Sequence, residues 1–63
     1  MANVKARTLN VGDKIVHPRR HGDPRAIMNV EEVAGMTVLV RNINDGNDFL
    51  FLNGDTRVER VTV

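Results

Sequence analysis

The chain has 63 residues, of which 41% are hydrophobic and 27% are charged, with a formal net charge of +1 and no cysteine. This length allows one small domain, residues 1–63, and the composition is that of a folded protein rather than a disordered one. The lack of cysteine excludes disulfides and thiolate metal sites, and no apolar run approaches the ~20 residues needed to cross a bilayer. We therefore expect a single cytoplasmic domain without a membrane segment.

Charge is distributed unevenly along the chain. Residues 1–25 carry six cations against two carboxylates, whereas residues 26–63 carry three cations against six carboxylates. Such asymmetry indicates an electrostatic patch if each half of the chain forms its own surface. If a barrel sets the two halves side by side, their opposite net charges cancel. The second arrangement is the simpler expectation for a domain this small.

The first half of the chain reads as extended segments around one long loop. Residues 4–9 predict a strand, residues 9–13 a turn, and residues 14–17 a second strand rich in β-branched side chains. Pro18 and Pro24 then bracket a loop over residues 17–25. The residue before each proline is directed toward extended geometry, so this loop is not expected to be helical.

The second half reads as a meander of short strands. The predicted strands cover residues 26–33, 36–43, 48–52 and 56–63. The turns that separate them are Ala34-Gly35, Asn44-Asp45-Gly46-Asn47 and Asn53-Gly54-Asp55. Short strands with turns about every eight to twelve residues, and no helical period, indicate an all-β domain. Because a full sandwich needs roughly 100 residues, we expect a small, partly open barrel of five to six strands.

This order of elements resembles the SH3-like small-barrel group across essentially the whole chain. A first strand and a turn lead into a second strand, and a long loop, a three-stranded meander, a short turn and a terminal strand follow. The residues that carry most of the likeness are Leu9, Val11, Gly12, Asp13, Ile15 and Val16, with the Asp45-Gly46 hairpin in support. The resemblance implies an SH3-like barrel. It does not choose a partner, because such barrels bind peptides, modified histone tails, RNA, DNA or other subunits.

One activity of that group is not carried over to this chain. SH3 domains that bind proline-rich peptides use an aromatic-lined groove. This chain has no Trp and no Tyr, and its two aromatic residues, Phe49 and Phe51, fall on one face of one strand. The texture of the sequence is also similar to that of short orphan proteins of actinobacteria and their phages, a likeness that implies no function.

Catalytic and metal-binding chemistry have little support in the sequence. There is no serine or cysteine, and the nearest grouping of reactive side chains is His17, His21 and Asp23. These three could ligate a metal ion, but Arg19 and Arg20 lie between the histidines and would repel a cation. Two solvated loop histidines beside a turn-forming aspartate are the simpler interpretation. We predict that the protein is not an enzyme and uses no metal or other cofactor.

An excess of apolar side chains favours protein association. A strand at the surface of a small barrel should alternate between apolar and polar residues, but three successive predicted strands are apolar on both faces. The surplus implies an exposed apolar patch, and such a patch usually marks an interface, most simply with a second copy of the chain. The predicted interface comprises Met36, Val38, Leu39, Val40, Phe49, Leu50, Phe51 and Leu52.

The long loop is the predicted displayed surface of this binding module. Its candidate contact residues are His17, Arg19, Arg20, His21 and Arg25. The alternative hypothesis is a nucleic-acid-binding barrel that contacts phosphates through a basic edge. That edge would consist of Lys5, Arg7, Lys14, Arg19, Arg20 and Arg25. Single-strand binding also relies on aromatic stacking, for which only Phe49 and Phe51 are available, and an apolar strand would place them in the core.

Overall fold

The computed structural model describes residues 2–62. Six strands follow one another along the chain, with a short 3-10 helix at Ala6–Thr8 between the first two. The strands are β1 Ala2–Lys5, β2 Lys14–Val16, β3 Ile27–Ala34, β4 Thr37–Asn42, β5 Asp45–Asn53 and β6 Arg57–Val61.

The six strands form one open antiparallel sheet in the order β1-β6-β2-β3-β4-β5. The strands β1 and β5 are therefore its two edges. The sheet curves so that the segment after β1 meets the turn after β5: the Ala6 N–H donates to Thr56 O at 2.8 Å and the Arg7 N–H donates to Gly54 O at 2.9 Å. The prediction of a small all-β domain with five to six strands is confirmed, and the arrangement is consistent with a small, partly open barrel.

The prediction of a first strand over residues 4–9 is wrong for most of that range. Strand β1 ends at Lys5, and the 3-10 helix Ala6–Thr8 follows. The Leu9 N–H donates to Ala6 O at 3.1 Å, which closes this short helix, and the Thr8 hydroxyl donates to Lys5 O at 2.7 Å. The physical reason is tertiary, since both Ala6 and Leu9 are buried and an extended chain with alternating faces would bury only one of them.

The core lies inside the curved sheet and is aliphatic. Its members come from the 3-10 helix, from Leu9 directly after it, and from the inward faces of five strands. Between β3 and β4, Val30 lies opposite Val40. On the next strand pair, Val38 lies opposite Leu52. Each such side chain contributes about 1.5–3 kcal/mol by leaving water. The buried cluster consists of Ala6, Leu9, Ile15, Met28, Val30, Val38, Val40, Leu52 and Val58.

The hairpin between β4 and β5 turns earlier than its sequence predicts. The turn lies at residues 43–44, before the Asp45-Gly46 pair that was expected to make it. The side chain of Asn42 is the cause, because its Oδ1 accepts the Asn44 N–H at 2.8 Å and closes a side-chain turn. The Asp-Gly pair instead begins β5 and leads into a bulge at residues 46–48, where the register with β4 shifts.

The buried Gly54 is the point where the 3-10 helix meets the β5–β6 turn. A Cβ added there would lie 2.9 Å from Arg7 Cβ and 3.2 Å from Met36 Cε. The Arg7 Cβ cannot swing away without moving its backbone. The sequence pair Asn53-Gly54 favours a type I′ turn, but Gly54 does not have the positive φ that such a turn requires. Space, rather than backbone conformation, therefore selects glycine.

We expect Gly54→Ala to lower the free energy of unfolding by about 1–3 kcal/mol, as overpacking of a buried site does. Urea unfolding followed by circular dichroism would measure the loss. The matched control is Gly46→Ala in the same strand region, where an added Cβ meets nothing within 4 Å. That control should stay within about 0.5 kcal/mol of the wild type. Equal stability of the two variants would contradict the close approach at Gly54.

Candidate functional site

Both phenylalanines lie on the outer face of the edge strand β5. Phe49 is 48% exposed and Phe51 is 63% exposed, whereas Leu52, between them and the turn, is buried. Leu39 on β4 lies directly opposite Phe51 and is half-buried on the same outer face. Together, Leu39, Phe49 and Phe51 form an exposed cluster that we call the aromatic patch. Such a cluster on the surface of a small domain marks a candidate binding site.

The register between β4 and β5 places the phenylalanines outside. Leu50 lies opposite Val40 and Leu52 lies opposite Val38, so the leucine side of β5 faces the core. Because successive side chains of a strand point to opposite faces, Phe49 and Phe51 must then point outward. A slip of one residue would exchange the two sets.

Arg41 lies at one end of the aromatic patch and contacts the Phe49 ring. Its Cζ lies 4.9 Å from the centroid of the Phe49 ring, directly across the strand pair. The guanidinium is fixed from two sides, since Nε donates to Glu31 Oε1 at 2.9 Å and Nη1 donates to Gly46 O. The Phe49 and Phe51 rings meet edge to face with centroids 6.2 Å apart. These contacts restrict the orientation of both rings within the single chain.

The structure corrects much of the predicted apolar interface. Val38, Val40 and Leu52 are buried in the core, and Leu50 is half-buried against it. Met36 is 46% exposed, but it lies in the β3–β4 turn with its thioether close to Gly54, outside the aromatic patch. The reason is alternation, because one face of each of these strands fills the core. Of the eight predicted interface residues, the outer face holds Leu39, Phe49 and Phe51.

The loop 17–25 is attached to the start of β5. The Arg20 guanidinium donates to Asp48 Oδ2 at 3.0 Å, and the amide of Asn42 donates to the same oxygen at 3.0 Å and to Arg25 O at 3.3 Å. Since Asp48 is the residue before Phe49, these bonds attach the loop at the N-terminal end of β5.

His17 is the exception among the predicted loop residues, because it is buried rather than displayed. It is only 5% exposed, and its Nδ1 accepts the Arg19 N–H at 3.1 Å. The backbone N–H of His17 donates to Ala26 O at 2.8 Å and closes the base of the loop. The other predicted contact residues of the loop are exposed: Arg19, Arg20, His21 and Arg25.

Ion pairs join the basic first part of the chain to its acidic second part. Arg7 lies 3.2 Å and Lys5 lies 4.0 Å from Asp55, and Arg20 pairs with Asp48. The uneven distribution of charge along the sequence is therefore partly balanced across the fold. The six cations of the predicted basic edge are divided between the β5–β6 turn, the loop 17–25 and β2, where the Lys14 ammonium donates to the Asn29 side chain at 2.7 Å.

Two titratable groups in this region have shifted pKa values. Burial, reinforced by the Arg20 guanidinium and opposed by the Asp48 carboxylate, lowers the pKa of His17 below its usual value. The hydrogen bond from Asn42 is the main cause that lowers the pKa of Asp48, with Arg20 and His17 adding to it and burial opposing it. The folded loop therefore favours neutral His17 beside ionised Asp48.

A shallow concavity lies between the loop 17–25 and β6. The residues that line it are Val16, His21, Gly22, Asp23, Pro24 and Glu59. Among residues 2–62, no group of three or more histidine, aspartate or glutamate side chains is close enough together to hold a metal ion. In the same described part of the chain, no helix is long and apolar enough to cross a membrane.

Several residues that shape the site do not stand out in the sequence. Arg41 and Glu31 become partners because β3 and β4 run antiparallel beside one another, at a sequence separation that carries no motif. Asn42 and Asp48 come together because each adjoins the Arg41–Phe49 pair of the β4–β5 register. One signal for these residues in the sequence is the polar pair Arg41-Asn42 at the end of a mostly apolar strand.

Comparison of the chain with protein-family models, with curated proteins and with solved structures finds no match.

We expect the free energy of unfolding to decrease as the pH falls from about 7.5 to about 5.5. A histidine with a lowered pKa in the folded state binds fewer protons there than in the unfolded chain, where its pKa is about 6.5. The stability that neutral His17 provides is therefore present above pH ~6.5 and is lost below it. Protonation of Nδ1 would also break its bond with the Arg19 N–H. Urea unfolding at the two pH values would measure the loss.

The variant His17→Asn tests this origin, because an asparagine Oδ1 can accept the same Arg19 N–H and does not titrate. Its stability should change less between the two pH values than that of the wild type. The control His21→Asn removes an exposed histidine of the same loop and should keep the wild-type pH dependence. If His17→Asn loses as much stability as the wild type, the pH dependence belongs to another group.

Proposed function

We propose that this chain is a non-enzymatic protein-interaction module that associates with a second copy of itself through the aromatic patch. The observation that carries the proposal is the position of its only two aromatic side chains. In a domain with so little core, Phe49 and Phe51 would contribute most if they were buried, yet they are 48% and 63% exposed. A partner that covers the two rings would remove this apolar surface from water.

The composition of the patch supports protein recognition. Aromatic side chains and arginine are the residue types that dominate the binding energy of protein interfaces, and here Arg41 stacks on Phe49. Aromatic side chains also lose little conformational freedom on binding. The edge-to-face contact with Phe51 and the bonds of Arg41 to Glu31 restrict them before association. A preorganised patch of this kind binds at a smaller entropic cost.

The loop 17–25 supplies a polar border for this interface. It reaches the N-terminal end of β5 through the Arg20–Asp48 ion pair and displays further cations, Arg19 and Arg25, to solvent. Interfaces combine an apolar centre with a polar, solvent-accessible rim. In this proposal, the patch supplies affinity and the loop contributes specificity.

Light scattering coupled to size-exclusion chromatography tests the proposal. We expect the wild type to move from the 7.0 kDa monomer toward twice that mass as its concentration rises, and Phe51→Lys to remain monomeric at every concentration. Because the Phe51 side chain is largely outside, a lysine there should leave the fold intact, which circular dichroism would verify. The matched control is Val11→Lys, which changes an apolar residue that is 67% exposed in the turn before β2. A wild type that stays monomeric would overturn self-association.

Nucleic-acid binding is the second candidate, and the exposed phenylalanines are the observation in its favour. They could serve as stacking platforms for bases. Their electrostatic surroundings favour protein instead, because Glu32 on β3 lies opposite Leu39 of the aromatic patch and Arg41 is already paired with Glu31. Several cations of the predicted basic edge are likewise paired with carboxylates.

We therefore expect no measurable binding of a labelled single-stranded oligonucleotide at low salt, using fluorescence anisotropy as the readout. Binding that weakens steeply as salt rises would instead reveal several phosphate contacts. In that case, Arg19→Ala combined with Arg25→Ala should reduce the slope against salt, and the neutral variant Phe51→Ala should weaken binding but leave that slope largely unchanged. Such a result would favour the nucleic-acid hypothesis over the first proposal.

A further inference from the structure

The outer edge of β5 has backbone groups that point away from β4. The Gly54 N–H donates to Met36 O at 2.7 Å, and Gly54 and Met36 continue the β4–β5 register, so they form a hydrogen-bonded pair of the ladder. In an antiparallel ladder such pairs alternate with pairs whose N–H and C=O groups face outward. Counting back from Gly54, the backbone of Leu52 and Leu50 faces β4. The backbone of Phe51 and Phe49 faces the open edge.

This edge has no strand partner over residues 49–53, and at its end Asn53 O accepts the Thr56 N–H at 2.9 Å across the following turn. Strand β5 pairs only with β4 among the described strands, so by this alternation the N–H groups of Phe49 and Phe51 face away from their one neighbouring strand. Proteins usually guard such an edge with charges, proline or a bulge. Here the bulge and the carboxylates of Asp45 and Asp48 lie before the segment, and the sequence Phe-Leu-Phe-Leu-Asn carries no charge.

We propose that β5 pairs with β5 of a second copy in an antiparallel ladder about a two-fold axis at Phe51. Phe51 would lie opposite the partner's Phe51, and Phe49 opposite the partner's Asn53, with backbone bonds exchanged in each pair. This proposal rests on the self-association proposed above and specifies its geometry. The axis falls at Phe51 because residues 49–53 are the part of β5 in regular register with β4, and Phe51 is their centre.

Charge favours a second copy as the occupant of this edge. The paired segment is neutral, so two copies meet no like-charge repulsion along it. Antiparallel pairing also brings the start of β5 in one copy toward the end of β5 in the other. The start carries Asp45, and near the end Lys5 and Arg7 outnumber Asp55. Opposite net charges therefore approach at both ends of the ladder.

The geometry places the phenylalanines of both copies on one outer face. Cross-strand and diagonal neighbours lie within reach of aromatic side chains, so the four rings would form one cluster across the axis. Because the contact is two-fold and uses the same edge in both copies, it closes on itself and does not propagate into a fibre. A five-residue ladder lies at the small end of interfaces, so we expect a weak, reversible dimer with a Kd on the order of 100 μM.

Amide hydrogen exchange of the wild type, measured by NMR at about 10 μM and about 1 mM, tests this geometry. In the monomer, the Phe49 and Phe51 amides should exchange fast and those of Leu50 and Leu52 slowly. At the higher concentration, the Phe49 and Phe51 amides should become protected by at least several fold. Contact through the ring faces alone would leave these two amides exposed.

A chemically synthesised chain with an N-methylated Phe51 gives the matched variant. It keeps the ring and removes the edge N–H, so we expect it to lose dimerisation, while N-methylation of His21 should have no effect. If light scattering shows a dimer whose Phe49 and Phe51 amides stay unprotected, or if N-methyl-Phe51 still dimerises, edge pairing is wrong and patch-mediated association stands. A chain that is monomeric at every concentration overturns both proposals.

Discussion

The pairing register between β4 and β5 is the constraint on which the rest of the structure depends. It sets Val40 opposite Leu50 and Val38 opposite Leu52, and these four side chains occupy one side of the core. Every residue on the other side of β5 is then committed to the surface. The core, the aromatic patch and the direction of the edge backbone groups all follow from this one alignment.

Polar and steric contacts hold this register at both ends of the hairpin. At the turn, the Asn42 side chain accepts the Asn44 N–H and donates to Asp48, which spans the bulge. At the far end, the buried Gly54 meets Arg7 and leaves no room for a larger side chain. The same contacts tie the hairpin to the loop 17–25 and to the 3-10 helix, so the surface features of the molecule depend on the alignment of its core.

The sequence was sufficient for the all-β class and for the approximate position of most strands, because turn residues and β-branched segments are local signals. It also predicted a surplus of apolar surface. The sequence did not show which face of Phe49-Leu50-Phe51-Leu52 is buried, since both faces are apolar. The register with β4 determines which face enters the core. The burial of His17 and the 3-10 helix at Ala6–Thr8 could not be predicted from the sequence either, because both arise from contacts between distant segments.

The compactness of the single chain bears on what kind of association the patch can support. Its accessible surface is 4025 Å², close to the roughly 4,000 Å² expected for a folded monomer of 7.0 kDa. An obligate dimer resembles a core cut in half, and its separate chains expose a large apolar face. Here Val38, Val40 and Leu52 complete a core within one chain, and the large apolar side chains left exposed are Phe49 and Phe51 on β5 and one residue in each of three turns, Val11, Met36 and Ile43. The core of this fold is therefore complete without a partner, and the proposed association through the aromatic patch would be an equilibrium between folded monomers, which concentration can shift in either direction.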